Sequence, residues 1–247
     1  MRILLVNPNT TASMTEKAAI AARAVAATGT DIIAVTSRMG PVSIEGHYDG
    51  ALAIPGLLME LKERQGAGYD AAVIACFDDT GLDAARAFAD VPVLGLCESA
   101  VATAGFLAQR FTVVTTLERS RVLIDNLVHR YGMGGRAKVR ASDIPVLELE
   151  NGASGAIGKL RAEIEKALSE DGAEAIVLGC AGMTDLARDL QEIYGVPVVD
   201  GVAAAVKQAE ALVSLGLSTS KRGSYASPLP KAFTGAMSRF APMRTAS

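Results

Sequence analysis

Two stretches of this chain repeat one another in residue class and in order. An apolar run from Ala71 to Ala75 ends at Cys76, a turn through Phe77, Asp78, Asp79, Thr80 and Gly81 leads to Leu82–Arg86, and Val91-Pro92-Val93-Leu94-Gly95-Leu96 closes the unit. Ala175–Gly179 ends at Cys180, Ala181, Gly182, Met183 and Thr184 lead to Asp185–Arg188, and Val196-Pro197-Val198-Val199-Asp200 closes the second unit. Pro92 follows Cys76 by 16 residues and Pro197 follows Cys180 by 17. Upstream, Arg2–Asn7 has a counterpart in Arg110–Thr115. A strand, a cysteine turn, a helix and a second strand, each given twice, predict two duplicated βα lobes that face each other about a pseudo-twofold axis.

The remaining pattern agrees with an α/β class. Apolar runs at 3–6, 32–35, 71–75, 93–96, 111–114, 146–149, 175–178 and 196–199 are nearly continuous, as parallel strands covered on both faces require. Segments 15–27, 51–64, 120–131 and 154–170 have the length and period of crossover helices. The expected division is a first lobe over residues 1–98, joined by a returning helix and tail from about 206 to 247, and a second lobe over 99–205. Ala203–Leu217 is the expected crossing helix. The stretch 218–247, rich in Ser, Pro, Gly and basic residues, reads as an irregular tail over the cleft or a neighbour.

Half of the 247 residues are hydrophobic, enough for a sizeable core. Basic and acidic residues nearly balance, 24 against 27, so the charge gives no reason to expect nucleic acid or an anionic membrane as partner. Aromatics are only 4% and tryptophan is absent, which disfavours base-stacking platforms. The partner expected is a small molecule. No run approaches a membrane span, and the opening Met1–Asn7 is too short for a signal segment, so a soluble, cytoplasmic location is expected. Three cysteines without a Cys-x-x-Cys pair predict free thiols rather than disulfides or a zinc site.

Ligands of open parallel sheets bind beyond the carboxyl ends of the strands. Both repeated cysteines fall there, so facing lobes would set two thiols on opposite sides of one cleft. Racemisation needs one group to take a proton from one face of a stereocentre and another to return one to the opposite face. A matched pair of thiols meets that demand. A free thiol titrates at about 8.5, and a following helix N-terminus is expected to bring it toward neutrality. A single cysteine after a strand is ordinarily a packing residue. It is the duplicated context that singles out Cys76 and Cys180; Cys97, whose counterpart near Asp200–Gly201 carries no thiol, reads as structural or as cleft wall.

Four motifs carry a family resemblance: Asn7-Pro8-Asn9-Thr10, Gly40–Asp49, Ala75–Gly81 and Leu178–Met183. Together they resemble the hydantoin racemase branch of the aspartate/glutamate racemase superfamily, over residues 1 to about 231. The resemblance implies two Rossmann-like lobes, no metal, no organic cofactor and a homo-oligomer. It implies a 5-monosubstituted hydantoin as substrate, with Cys76 and Cys180 exchanging acid and base roles according to the enantiomer bound. It places Asn9, Thr115 and Thr116 on the ring's polar edge, and backbone amides of Phe77, Asp79, Thr80, Gly81, Ala181 and Gly182 at the developing enolate oxygen.

Plainer roles compete for some of these residues. Asn9, Thr10 and Thr11 suit the start of a helix near Ser13, and Asp79 suits a helix N-terminus. His47 and Glu45, in a Gly-rich loop, read as loop residues. Allantoin is itself a 5-substituted hydantoin, so an allantoin racemase stays open beside the first reading. An Asp/Glu racemase fits the bulky, acidic turn Phe77-Asp78-Asp79 less well. A non-enzymatic two-lobed binding protein would have no need of paired thiols.

Overall fold

The computed structural model describes residues 1–150 and 155–242. Ser154, expected to open a helix, and residues 243–247 of the tail lie outside the described residues. The chain forms two four-stranded parallel sheets. The first half runs β1 (Arg2–Asn7), α1 (Ala12–Val25), β2 (Asp31–Thr36), α2 (His47–Gln65), β3 (Ala71–Ile74), α3 (Leu82–Phe88) and β4 (Val93–Gly95). α4 (Leu96–Leu107) leads to the second half: β5 (Phe111–Thr115), α5 (Glu118–Arg130), β6 (Ala137–Ala141), α6 (Ala156–Glu170), β7 (Ala175–Gly179), α7 (Ala187–Tyr194), β8 (Val198–Asp200) and α8 (Gly201–Ser214). The sheet orders are β2-β1-β3-β4 and β6-β5-β7-β8, one a copy of the other. The repeated strands therefore occupy equivalent places. β1 and β5 lie beside β3 and β7, the strands that carry the cysteines.

Strand alternation explains the layering. Ile3, Leu5, Val73, Val113 and Val177 point into a core shared by both sheets, together with Cys97, Ala100 and Val101 of α4 and Val202, Ala205 and Ala209 of α8. Leu4, Val6 and Ile74 point the other way, onto Leu57, Leu61 and Leu82. Val114, Ile176 and Leu178 do the same against Leu160 and Ile164. α4 and α8 touch strands of both sheets and pack on each other. Their alanines and glycines permit that: Gly201 backs directly onto Leu96.

Two expectations need correcting. Val146–Leu149 is not a strand but the start of a 3-10 turn, Val146–Glu150, after Pro145. The strand at this place is Ala137–Ala141, whose Lys138 and Arg140 hide it from a search for apolar runs. β6 is an edge strand, so these side chains reach solvent and pair with Asp171, at 3.1 and 2.6 Å. The apolar run 93–96, for its part, ends as a strand at Gly95, and Leu96 already opens α4, so Cys97 does not stand at a strand end. It lies in the first turn of α4, fully buried.

The described part of the tail runs along α3 and α2. Thr219 Oγ1 donates to the Val91 carbonyl (2.7 Å), Lys221 Nζ to the Arg86 carbonyl (2.8 Å), and Lys62 Nζ of α2 donates to the Arg239 carbonyl (3.0 Å). Among the described residues no helix is long and apolar enough to cross a membrane.

Candidate active site

Between the carboxyl ends of the two sheets lies a small cavity of about 50 Å³ that opens to solvent. Its wall takes Asn9 and Met14 from the β1–α1 junction, Ile44 and Gly46 from the loop before α2, Cys76, Phe77 and Asp78 from the turn after β3, Thr115, Thr116, Ser120 and Leu123 from the β5–α5 junction, Val146, and Cys180 and Ala181 after β7. The first turns of α1 and α5, pseudo-equivalent helices, both open onto it, and their N-terminal dipoles favour negative charge there.

Each cysteine is partly exposed while Cys97 is buried. Each sulfur also meets the amide two residues on: Gly182 N–H donates to Cys180 Sγ (3.4 Å), and the Asp78 amide serves Cys76 in the same way. The turn after β3 closes through Asp79 N–H to the Cys76 carbonyl (3.2 Å). Gly179 is required by packing, since a methyl group there would lie 2.9 Å from the Val114 carbonyl of β5.

Asn9 is oriented by its neighbours. Its Oδ1 accepts from Asn7 Nδ2 (2.8 Å) and from Thr11 N–H (2.9 Å), while its Nδ2 meets only the weak acceptor Met14 Sδ at 3.5 Å. Asn9 thus presents N–H donors to the cavity. Thr115 Oγ1 donates to the Gly179 carbonyl (3.2 Å), tying the two central strands of the second sheet together at their carboxyl ends.

Of the other expected residues, Asp79, Thr80, Gly81 and Gly182 stand outside this wall. The amides of Asp79 and Thr80 turn inward, to the Cys76 carbonyl and to Asp78 Oδ1 (3.1 Å), and the Gly182 amide is directed at sulfur. Asp79 caps α4, accepting from Cys97 N–H (2.9 Å) and Glu98 N–H (3.0 Å). The carboxylate that faces the cavity is its neighbour Asp78, which the sequence reading did not single out. In a turn, adjacent residues point to opposite sides, and two consecutive aspartates give no sequence signal of which one faces in. Glu45 reaches across the cleft, its Oε1 accepting from Val146 N–H at 2.9 Å, and Lys17 pairs with Asp185 at 3.0 Å. His47 opens α2 and lines a neighbouring groove.

The thiols do not titrate low, as the helix argument expects. Burial pushes the Cys76 thiol well up, and the Asp78 carboxylate adds to this. Burial also raises Cys180, to about 11, with the Gly182 amide and the Lys17 charge pulling down against it and Asp78 and Glu45 pushing up. Desolvation outweighs the turn amides, because burial among protein atoms disfavours the charged thiolate. Cys180, where the Gly182 amide and the Lys17 charge act against burial, is the more acidic of the two. Iodoacetamide labelling followed by peptide mass spectrometry should therefore modify Cys180 first, Cys76 later and Cys97 last, with the Cys180 rate still climbing above pH 9 as its thiolate forms. Labelling of Cys76 ahead of Cys180 would reverse that order of acidity.

Comparison with known proteins agrees with this geometry. The family model for "Asp/Glu/Hydantoin racemase" matches residues 3–209. The chain belongs to the Asp/Glu/hydantoin racemase family. It is 51% identical to a hydantoin racemase of Rhizobium meliloti, with 95% of this chain and 98% of that protein aligned, and 47% identical to one of Pseudomonas sp. strain NS671, with 97% of each aligned. Among solved structures, an allantoin racemase from Klebsiella pneumoniae superposes with a TM-score of 0.95 at 48% identity, covering 98% of this chain and 100% of that one. Within this family fold the paired cysteines sit at equivalent carboxyl ends of two copies of one sheet. Among the described residues no group of three or more His, Cys, Asp or Glu side chains is placed to hold a metal.

Proposed function

We propose that this racemase inverts 5-monosubstituted hydantoins without a cofactor, using Cys76 and Cys180 as acid and base on opposite faces of C5. The observation that carries the reading is that both thiols, at pseudo-equivalent strand ends, line one cavity. In the reaction one thiolate takes the C5 proton, the electron pair delocalises into the adjacent carbonyl as an enolate, and the other thiol donates its proton to the far face. The thiolate has then moved from one cysteine to the other. The enzyme is left ready for the opposite enantiomer. Asn9 Nδ2 and the dipoles of α1 and α5 supply positive potential for the enolate, and the ring's polar edge lies against Asn9 and Thr116.

The test is the decay of circular dichroism for optically pure hydantoins with methyl, isobutyl, benzyl and ureido substituents at C5. Decay to zero that EDTA leaves unaltered is expected, and no decay with any of the four would overturn the proposal. The 48%-identical allantoin racemase keeps a second reading in view. Preference for the ureido compound would select it.

A further inference from the structure

The Cys76 turn carries a buried carboxylate that the reaction does not use. Asp79 is 6% exposed, and its φ of 50° is a left-handed conformation that a non-glycine residue holds only where its surroundings impose it. Those surroundings are hydrogen bonds. Oδ1 accepts from Cys97 N–H, and Oδ2 accepts from Glu98 N–H and, at 2.7 Å, from the hydroxyl of Tyr131. Cys97 and Glu98 open α4, the helix between the two sheets; Tyr131 ends α5, beside the second sheet and with its first turns at the cavity. The space is closed from below. A methyl group on Gly95 would overlap the Asp79 carboxylate, so the glycine and the aspartate are matched. Burial pushes the Asp79 carboxyl up to about 7 against the pull of Tyr131, Glu98 and Cys97, so holding a carboxylate here opposes its desolvation. A solvent-exposed turn could dispense with such a group.

We infer that Asp79 and Tyr131 are positioning residues: their hydrogen bond ties the Cys76 turn to the opposite half of the molecule and so sets where the first thiol stands relative to the substrate. Resting on the two-thiol reading above, the inference concerns the Cys76 face alone. Cys180 follows β7 directly and is held by Gly182 and the second sheet, with no link to Asp79. Loss of the Tyr131 hydroxyl leaves both α4 cap bonds in place, so the helix survives while the turn is freed to shift. A displacement near 1 Å can cost about a hundredfold in a proton transfer.

The experiment follows C5 deuterium exchange and racemisation of both enantiomers of a hydantoin in D2O. Cys76→Ser first defines, by the enantiomer it still exchanges, which one faces Cys180. In Tyr131→Phe, racemisation should fall at least about tenfold, equally in both directions because the equilibrium constant is one. Exchange of the Cys76-facing enantiomer should fall with it. Exchange of the Cys180-facing enantiomer should stay at the wild-type level. Asp79→Asn, nearly the same shape, should give the same asymmetry and serves alone if Tyr131→Phe does not fold. Equal losses on both faces, or no loss on either, in the soluble variant would overturn the positioning role. Absence of exchange in the wild-type enzyme would instead remove the two-thiol reading on which it rests.

Discussion

Replacing either Cys76 or Cys180 by serine is expected to lower kcat/KM for racemisation by about 10²–10⁴-fold, which is the usual worth of a positioned acid or base. An alcohol is so much weaker an acid than a thiol that serine neither forms the anion needed to take the C5 proton nor donates readily. Because the two cysteines occupy equivalent strand ends on copies of one sheet, neither substitution disturbs packing: each side chain faces the cavity and serine is nearly isosteric. The melting temperature should hold. Each variant keeps one half of the reaction, so deuterium exchange at C5 should survive for one enantiomer with Cys76→Ser and for the other with Cys180→Ser. If both variants racemise L-hydantoins at the wild-type rate, the two-base assignment is lost. The internal control is Cys97→Ser. That thiol is in the core, so its loss should cost stability and leave the rate per folded molecule intact.

The largest loss of stability from a single methyl group is expected at Gly56. This residue lies in α2 where the helix crosses the turn after β2, and an alanine Cβ would overlap the Met39 carbonyl oxygen and Ser37 Oγ. Neither can easily withdraw. Ser37 Oγ donates to that carbonyl at 2.7 Å and accepts from Met39 N–H at 3.3 Å, so the turn is already braced. Gly56→Ala gains up to about 1 kcal/mol of helix propensity and loses more to overpacking, roughly 1–3 kcal/mol and toward the upper end for a backbone clash. A fall in melting temperature of about 3–8 °C follows for a chain of this size. Gly158→Ala makes the comparison: it lies inside α6 with open space where the methyl group would go, and the same substitution should raise the melting temperature slightly. Scanning calorimetry on the pair decides it, and equal shifts would show that the packing at residues 37–39 yields.

The parts of the fold that were legible from the chain share a physical cause. Runs such as Ile3–Val6 and Ala175–Leu178 are apolar on both faces because both faces are covered, and the repeated Val-Pro-Val units mark equivalent strands. β6 was not legible, because on an edge strand one side meets water and Lys138 and Arg140 are tolerated there. Neither was α4, whose small Ala, Ser, Thr and Gly residues and exposed Phe106 and Leu107 leave little amphipathic contrast between its buried and exposed faces. The site divided along similar lines. Cys76 and Cys180 could be singled out because their surroundings are duplicated, and Asn9 through the family resemblance, whereas the partners of Asp79 are Gly95, Cys97, Glu98 and Tyr131, which lie 16 to 52 positions along the chain.

The order of residues was enough for the duplication and the α/β class, and it picked out the two cysteines on which the proposed reaction rests, since periodicity and repeated spacing are properties of a line. Tertiary structure alone decided which of two adjacent aspartates faces the cavity, that Asp79 bonds across to Tyr131, and that both thiols are held up rather than down. Those outcomes depend on solvent exclusion and on the nearest charges, and neither exists until distant segments of the chain have been packed together.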